Sequence, residues 1–469
     1  MKKKNKRQRG SSSDVEEKRD RLSELPNCIL LHIMEFMDTK HAIQTCVLSK
    51  RWEHLWKCLT NLVFDSSQFN KVSEFNKFVS RVLSGRDGSY PMLDVEFKRL
   101  NHEYRHSGCV EYKLLNRLMK YASVHNVRRF SVLINFRCKP NFVFCPYIFS
   151  CQSLTFLKLS IGSYGSSVLT LPKSLKMSAL KSLQLERFTF IASGSGNDYA
   201  EPFSGCNMLN SLILEGCSLH EDAKFLSICN SNLSSLTIDG GYDGGAYKIV
   251  LSTPNLSSFA VMGHNNHLFS SEYNLSFLQE VSIETDGFTT LEEEDLHIIS
   301  WLPMLSNIKT MTFSWRALNT ILEDLSNPAS VSAQHPCFGQ LKSLRVKKNS
   351  FCDNYISVER INTALEYILQ NSPLARMNVT FDMLAVDTKL SPSLTSLSIY
   401  IRQIPRVVVP AKSLHLPALK SMRLAYVKFT AKDSDKDLLN PSLTMPQPPF
   451  FEEIGVIESE KEFIDKLIR

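Results

Sequence analysis

A six-residue pattern with apolar side chains at its first, fourth and sixth positions recurs twelve times along the chain. It opens faintly as VRRFSV at Val127, then runs LTFLKL from Leu154, LKSLQL from Leu180, LNSLIL from Leu209, LSSLTI from Leu233 and LSSFAV from Leu256. It continues with LQEVSI from Leu278, IKTMTF from Ile308, LKSLRV from Leu341, LARMNV from Leu374, LTSLSI from Leu394 and LKSMRL from Leu419. One copy would mean little, because any apolar strand can produce it. A series spaced 20–33 residues apart predicts a stack of short parallel strands, each burying alternate residues against its neighbours. The irregular spacing argues for connections of varying length, in loops and helices, on the opposite side. A β-sandwich is the competing architecture and would need more regular strands.

Most of the spacings fall in the 20–29 residue range of leucine-rich repeats. Two copies complete the longer signature, LNSLILEGCSL with Cys217 and LKSLRVKKNSF with Asn349. A cysteine or asparagine at that point can satisfy backbone groups where the chain leaves the strand. The chain also copies itself: SLTFLKLSI at 153–161 returns as SLTSLSIYI at 393–401, and KSLKMSALKSLQLERFTF at 173–190 returns as KSLHLPALKSMRLAYVKF at 412–429. A two-repeat block is thus repeated in register, and it reads as a restarted, shorter second array.

Ahead of the array, residues 25–59 read LPNCILLHIMEFMDTKHAIQTCVLSKRWEHLWKCL. Pro26 suits a first helical turn, where its missing N–H is no loss. Ile29, Ile33 and Phe36 form one helical stripe, and Leu30, Met34 and Met37 form another. Thr39 is placed to cap a second helix and Ser49 a third, the latter carrying Trp52, Leu55, Trp56 and Leu59 on one face. A unit of about 40 residues lies near the lower limit for stability alone. One stripe can line its core; the other is left over, and leftover apolar surface marks a partner site unless the repeats cover it.

The Leu25-Pro26 pair, the apolar helix with Ile29 and Ile33, the VLSKRW run from Val47 to Trp52, and Trp56 together resemble an F-box. That family docks substrate receptors onto the Skp-type adaptor of cullin–RING ubiquitin ligases. Asn27-Cys28 stand where an acidic pair is common, and Met34 and Met37 where leucine is usual. The resemblance implies adaptor contact through Leu25, Pro26, Ile29, Ile33, Val47, Ser49 and Trp52. Residues 357–381, SVERINTALEYILQNSPLARMNVTF, resemble the FBD segment of plant F-box/leucine-rich-repeat proteins. The expected fold is α/β: a three-helix F-box at 20–62, then a leucine-rich-repeat solenoid at 63–380 with a parallel β-sheet on its concave face. Within it lies the FBD-like segment at about 335–381, followed by further repeats at 382–430 and a linker and tail at 431–469.

Charge narrows the partners. The formal net charge is +7, but six of the basic residues fall in 1–9, leaving the remainder near +1. The body therefore has no nucleic-acid footprint, and the basic start reads as a solvated tail, with nuclear import as the alternative. No signal peptide or membrane-length apolar run is evident. The twelve cysteines lack CxxC spacing and read as reduced thiols in the cytoplasm or nucleus. GxxxxGK[ST], HExxH and GxSxG are absent, so no catalytic residue, cofactor or metal is expected. His264 and His267 read as solvated loop histidines.

Two functions stay open: a ligase substrate receptor, or a non-degradative scaffold whose F-box no longer engages the adaptor. For a protein target, the strand residues between buried positions give a candidate surface of Glu186, Glu280, Glu284, Trp315, Arg345, Lys347 and Lys348. It runs from acidic to basic, with a tryptophan expected to be exposed at the transition.

Overall fold

Every one of the twelve apolar runs becomes a strand that starts two residues after the run does. The run from Leu180 gives Ser182–Glu186, that from Leu233 gives Ser235–Asp239, and that from Leu419 gives Ser421–Ala425. The computed structural model describes residues 22, 24–100, 112–135, 146–162, 169–194, 196, 198–241, 247–263, 267–285, 298–326, 337–349, 356–370, 376–382, 396–400 and 421–425. All its principal strands pair in parallel, in chain order, in one fourteen-stranded sheet. The register keeps like positions in rows. Ser182, Ser211, Ser235, Ser258 and Glu280 stand side by side, and the next position, Leu183, Leu212, Leu236, Phe259 and Val281, is buried on each strand. This is a leucine-rich-repeat solenoid, and each strand whose side chains are described is held by at least two buried side chains, a buried apolar one being worth about 1.5–3 kcal/mol. The strands Ser396–Tyr400 and Ser421–Ala425, from the copied block, extend the same sheet beyond Arg376–Asp382.

Two strands precede the twelve: Asn61–Asp65 and Asp94–Leu100. Both obey the same template, with Leu59, Leu62 and Phe64 in one and Met92, Val95 and Phe97 in the other.

Repeat length decides what returns the chain behind the sheet. Where successive runs lie 22–29 residues apart, from Leu180 to Leu278, there is no room for a helix of several turns, and short strands close the loop. Tyr199–Ala200, Phe225–Cys229, Lys248–Ser252 and Leu268–Ser271 form one parallel sheet; Leu169–Thr170, Phe188–Phe190 and Ser218–Leu219 form another. Where the spacing is 33, the amphipathic helices Trp315–Ser326 and Val358–Leu369 fit. At the tight strand exits the backbone enters the left-handed region at Gly216, Gly241 and Gly263. A Cβ on Gly241 would lie 2.8 Å from the Gly216 Cα, so neither space nor φ admits another residue. Cys217 acts as expected: its thiol points to the carbonyls of Leu185 (3.6 Å) and Glu215 (3.7 Å), and burial pushes its pKa up to about 12.

At the N-terminal end, α1 (Asn27–Glu35) and α2 (Thr39–Gln44) are followed by 3-10 turns at Thr45–Val47 and Trp52–Cys58. Asp38, not Thr39, caps α2, accepting the His41 N–H at 2.9 Å. Ser49 contributes its carbonyl, not its hydroxyl, to the Trp52 N–H (3.0 Å). No described helix is long and apolar enough to cross a membrane. His267 is not solvated: it is buried, its ring centroid 4.0 Å from that of Tyr247 with the planes tilted by 46°, and its Nδ1 accepts the Tyr247 N–H. His264 lies outside the described residues.

Candidate functional site

The two stripes of the first helix separate at Leu30 and Met34, whereas Met37 of the inner stripe is 37% exposed. Leu30 and Met34 are fully buried, while Ile29 is exposed, Ile33 half-buried and Phe36 82% exposed. Across from it, the Thr45–Val47 turn ends in Val47 and Leu48, which are 84% and 60% exposed. Asn27 and Arg51 join the two segments, the guanidinium donating from Nε (2.9 Å) and Nη2 (2.7 Å) to Asn27 Oδ1. Ile29, Phe36, Val47 and Leu48 are thus exposed apolar residues on two segments that the Asn27–Arg51 contact ties together.

Among the residues expected to face an adaptor, Ile29 and Val47 present themselves to solvent, and Pro26 is exposed as the N-cap of α1, its carbonyl accepting from Ile29 and Leu30 (3.0 and 3.1 Å). Leu25 packs half-buried against the core. Ser49 is half-buried, with its hydroxyl oxygen shielded from water. Trp52 departs from the expectation. It is only 2% exposed, inside the core with Leu30, Met34 and Leu55, because its i, i+3 partner Leu55 draws the same face inward. Its indole is therefore part of the domain's core rather than of its exposed surface. Phe36 and Leu48, absent from the expected set, are among the most exposed apolar residues. The stripe logic that singled out Ile29 and Ile33 already contains Phe36.

The outer face of the long sheet shows a different balance of charge. Glu186, Glu215 and Asp239 occupy one row on three adjacent strands. Burial raises the Glu215 pKa, and the neighbouring Glu186 and Asp239 raise it further. The Ser160 hydroxyl donates to Glu186. Glu280 and Arg345 are exposed on this face. Glu284 and Lys347 are not far-apart poles: Lys347 Nζ reaches across the intervening strand to both Glu284 oxygens, at 2.8 and 2.9 Å. Trp315 is a second correction. It begins the helix Trp315–Ser326, is 3% exposed, and lies beneath Lys348, whose Nζ is 4.1 Å from the ring centroid. The strand ends at Ser314, and the chain turns straight into a helix whose apolar face includes the indole. Lys348 is itself buried, so neither residue is a surface anchor.

Residues 22–63 match the family model for the F-box domain. Relatives in Arabidopsis thaliana include an FBD-associated F-box protein, 27% identical over 56% of this chain and 61% of its own length. An F-box/FBD/LRR-repeat protein is 26% identical over 73% of this chain and 69% of its own, and an F-box/LRR-repeat protein is 25% identical over 59% and 73%. The chain thus carries an F-box domain ahead of a leucine-rich-repeat sheet, and it is similar over most of its length to plant F-box/FBD/LRR-repeat proteins. In this F-box, α1 and the turn after α2 supply the exposed apolar face, and Trp52 supplies the core. Among the described residues, no group of three or more histidine, cysteine, aspartate or glutamate side chains is arranged to hold a metal ion.

Proposed function

We propose that the protein is the substrate-recognition subunit of a Skp–cullin–F-box ubiquitin ligase. The observation that carries this reading is the apolar face of Ile29, Phe36, Val47 and Leu48, left uncovered on a domain that matches the F-box family. Exposed apolar surface of that kind in a small helical unit is stabilised by a partner that buries it. The Skp-type adaptor is that partner, with Leu25, Pro26, Ile33 and Ser49 at the margin of the contact. The solenoid then holds a target protein on its outer face, where Glu186, Glu215, Glu280 and Arg345 are available for contact. The chain breaks no bond itself; it supplies proximity for transfer by the rest of the complex.

The test is capture of a Skp-type adaptor and a cullin by the full chain. Wild type is expected to retain both. Val47→Glu with Leu48→Glu places two carboxylates in the apolar contact and is expected to weaken adaptor capture by about 30-fold or more, on the ~1–3 kcal/mol scale per disrupted residue. The circular dichroism of the repeats should not change. Adaptor capture equal to wild type by that variant overturns the docking assignment. Failure of the wild type to capture adaptor, with target binding intact, favours the non-degradative scaffold.

A further inference from the structure

The end of a solenoid is a structural problem. A terminal strand leaves a row of N–H and C=O groups unpaired and opens the core between sheet and return segments to water. Here the terminal strand is Asn61–Asp65, whose only sheet neighbour among the described residues is Asp94–Leu100. Its other edge faces the F-box.

We propose that the F-box has a second function, independent of the adaptor, as the cap that seals the N-terminal edge of the sheet. Val63, in the middle of the edge strand, donates its N–H to the Thr39 hydroxyl at 2.8 Å, and Thr39 is 1% exposed at the start of α2. On either side of that bond the two units are tied again. Thr60 donates to Glu35 at the end of α1 (2.5 Å), and Lys40 Nζ reaches the Gln68 carbonyl (2.5 Å) while Gln68 Nε2 donates to Asp38 (2.7 Å). The contact continues below the sheet. The buried Arg86 guanidinium, at the end of the helix Val72–Gly85, donates to the Leu59 carbonyl at 3.1 and 2.9 Å, and to the carbonyls of Tyr90 (3.0 Å) and Pro91 (2.7 Å). Asp87 N–H closes on the Lys57 carbonyl at 3.1 Å. Trp56 lies so near Gly85 that a Cβ there would come within 3.0 Å of the indole.

These bonds use residues other than the docking ones: Thr39 meets the edge strand, Lys40 meets Gln68 and Trp56 lies against Gly85, while Val47 and Leu48 are exposed. Leu30, Met34 and Trp52 belong to one apolar cluster that continues through Leu62, Phe64 and Phe75 into the repeats. No boundary separates a domain core from a solenoid core. The F-box therefore has two working faces, one turned to a partner and one to its own chain, and the second explains Thr39, Gln68 and Arg86, which the docking role leaves unused.

The experiment uses the full chain and amide hydrogen exchange resolved by segment. Thr39→Val keeps the shape of the side chain and removes the acceptor, leaving the Val63 N–H buried and unpaired. Protection of the segments 61–65, 94–100 and 129–135 is expected to fall roughly 5- to 30-fold, with 235–239 and 258–263 unchanged. Thr39→Ser, which restores the hydroxyl, is expected to recover most of it. The docking variant Val47→Glu with Leu48→Glu serves as the opposite arm: it should leave protection of 61–65 within about twofold of wild type, because neither side chain takes part in the cap contacts and both are exposed. The proposal is overturned if Thr39→Val leaves the first three strands as protected as in wild type, or if serine rescues no better than valine. It is overturned equally if the docking variant opens those strands to the same extent. None of these outcomes depends on whether an adaptor binds.

Discussion

His267 shows how far a single side chain can sit from its apparent role. Two histidines three residues apart in a Gly- and Asn-containing stretch suggest a wet loop, yet burial of His267 lowers its pKa to about 4. Its Nδ1 accepts a backbone N–H, which the neutral ring alone can do. The native state resists the proton that the unfolded chain takes up near its ordinary pKa of 6.5. Below that pH the unfolded state binds more protons, so stability is complete above about 6.5 and is lost as pH falls from there toward 4. Between pH 7 and pH 5 the loss should be about 2 kcal/mol from this group. Chemical denaturation of wild type and His267→Phe at both pH values checks it: the variant should start less stable and show a smaller fall. An equal fall in both would place the proton uptake elsewhere. Trp52 and Trp315 make the same point for aromatic residues. Indoles on a strand end or a third helix look like anchors for a partner, and both are core because the following turn carries them inward.

Among elements, the strands were legible and their returns were not. A period of two in side-chain burial is local information, written in six residues, and it located twelve strands, each beginning two residues after its run. Whether a strand, a turn or a helix closes each repeat depends on how many residues separate successive strands and on what the next repeat already occupies. Neither is visible within one copy. The docking face was half legible for the same reason: the paired stripes of α1 are local, but only the packed unit shows that Leu48 stays outside while Trp52 goes in. Charge on the outer face was misread as two separated poles because pairing across an intervening strand is a tertiary fact. The Glu284–Lys347 pair joins strands whose sequence positions are 63 apart. It is partly exposed, with side-chain accessibilities of 21% and 45%, and should be weak. A double-mutant cycle with Glu284→Gln and Lys347→Met is expected to return a coupling of roughly 0.2–1 kcal/mol that shrinks in high salt. A coupling well above that range, insensitive to salt, would mean that the pair is held in a drier setting than its exposure indicates.

For the molecule as a whole, the continuous core predicts how fragments behave. Residues 15–62 expressed alone lose both covers at once: the repeats over Thr39 and Trp56, and the partner over Val47 and Phe36. That fragment should aggregate or melt without cooperativity, and co-expression with a Skp-type adaptor should recover it as a soluble complex, since a ligand that binds only the folded form stabilises it by mass action. Carrying the fragment through Leu100, which adds two strands and the helix between them, should restore a cooperative melt without any adaptor. A sharply melting monomer of 15–62 would contradict the shared core. Circular dichroism with light scattering distinguishes the cases.

The unbroken register of the sheet also sets a length scale. Adjacent strands stand about 4.8 Å apart, so each repeat carries its surface residues one further step of that size from the F-box end. With the first strand fixed to the F-box by Arg86 and Thr39, the step is not blurred by a flexible joint. The strand on which a target is gripped is thus a coordinate: moving a binding epitope from the Ser182–Glu186 strand to the Glu280–Thr285 strand, four places along, displaces it by roughly 20 Å. In a ligase built on such a receptor, that distance would choose which lysines of the target come within reach.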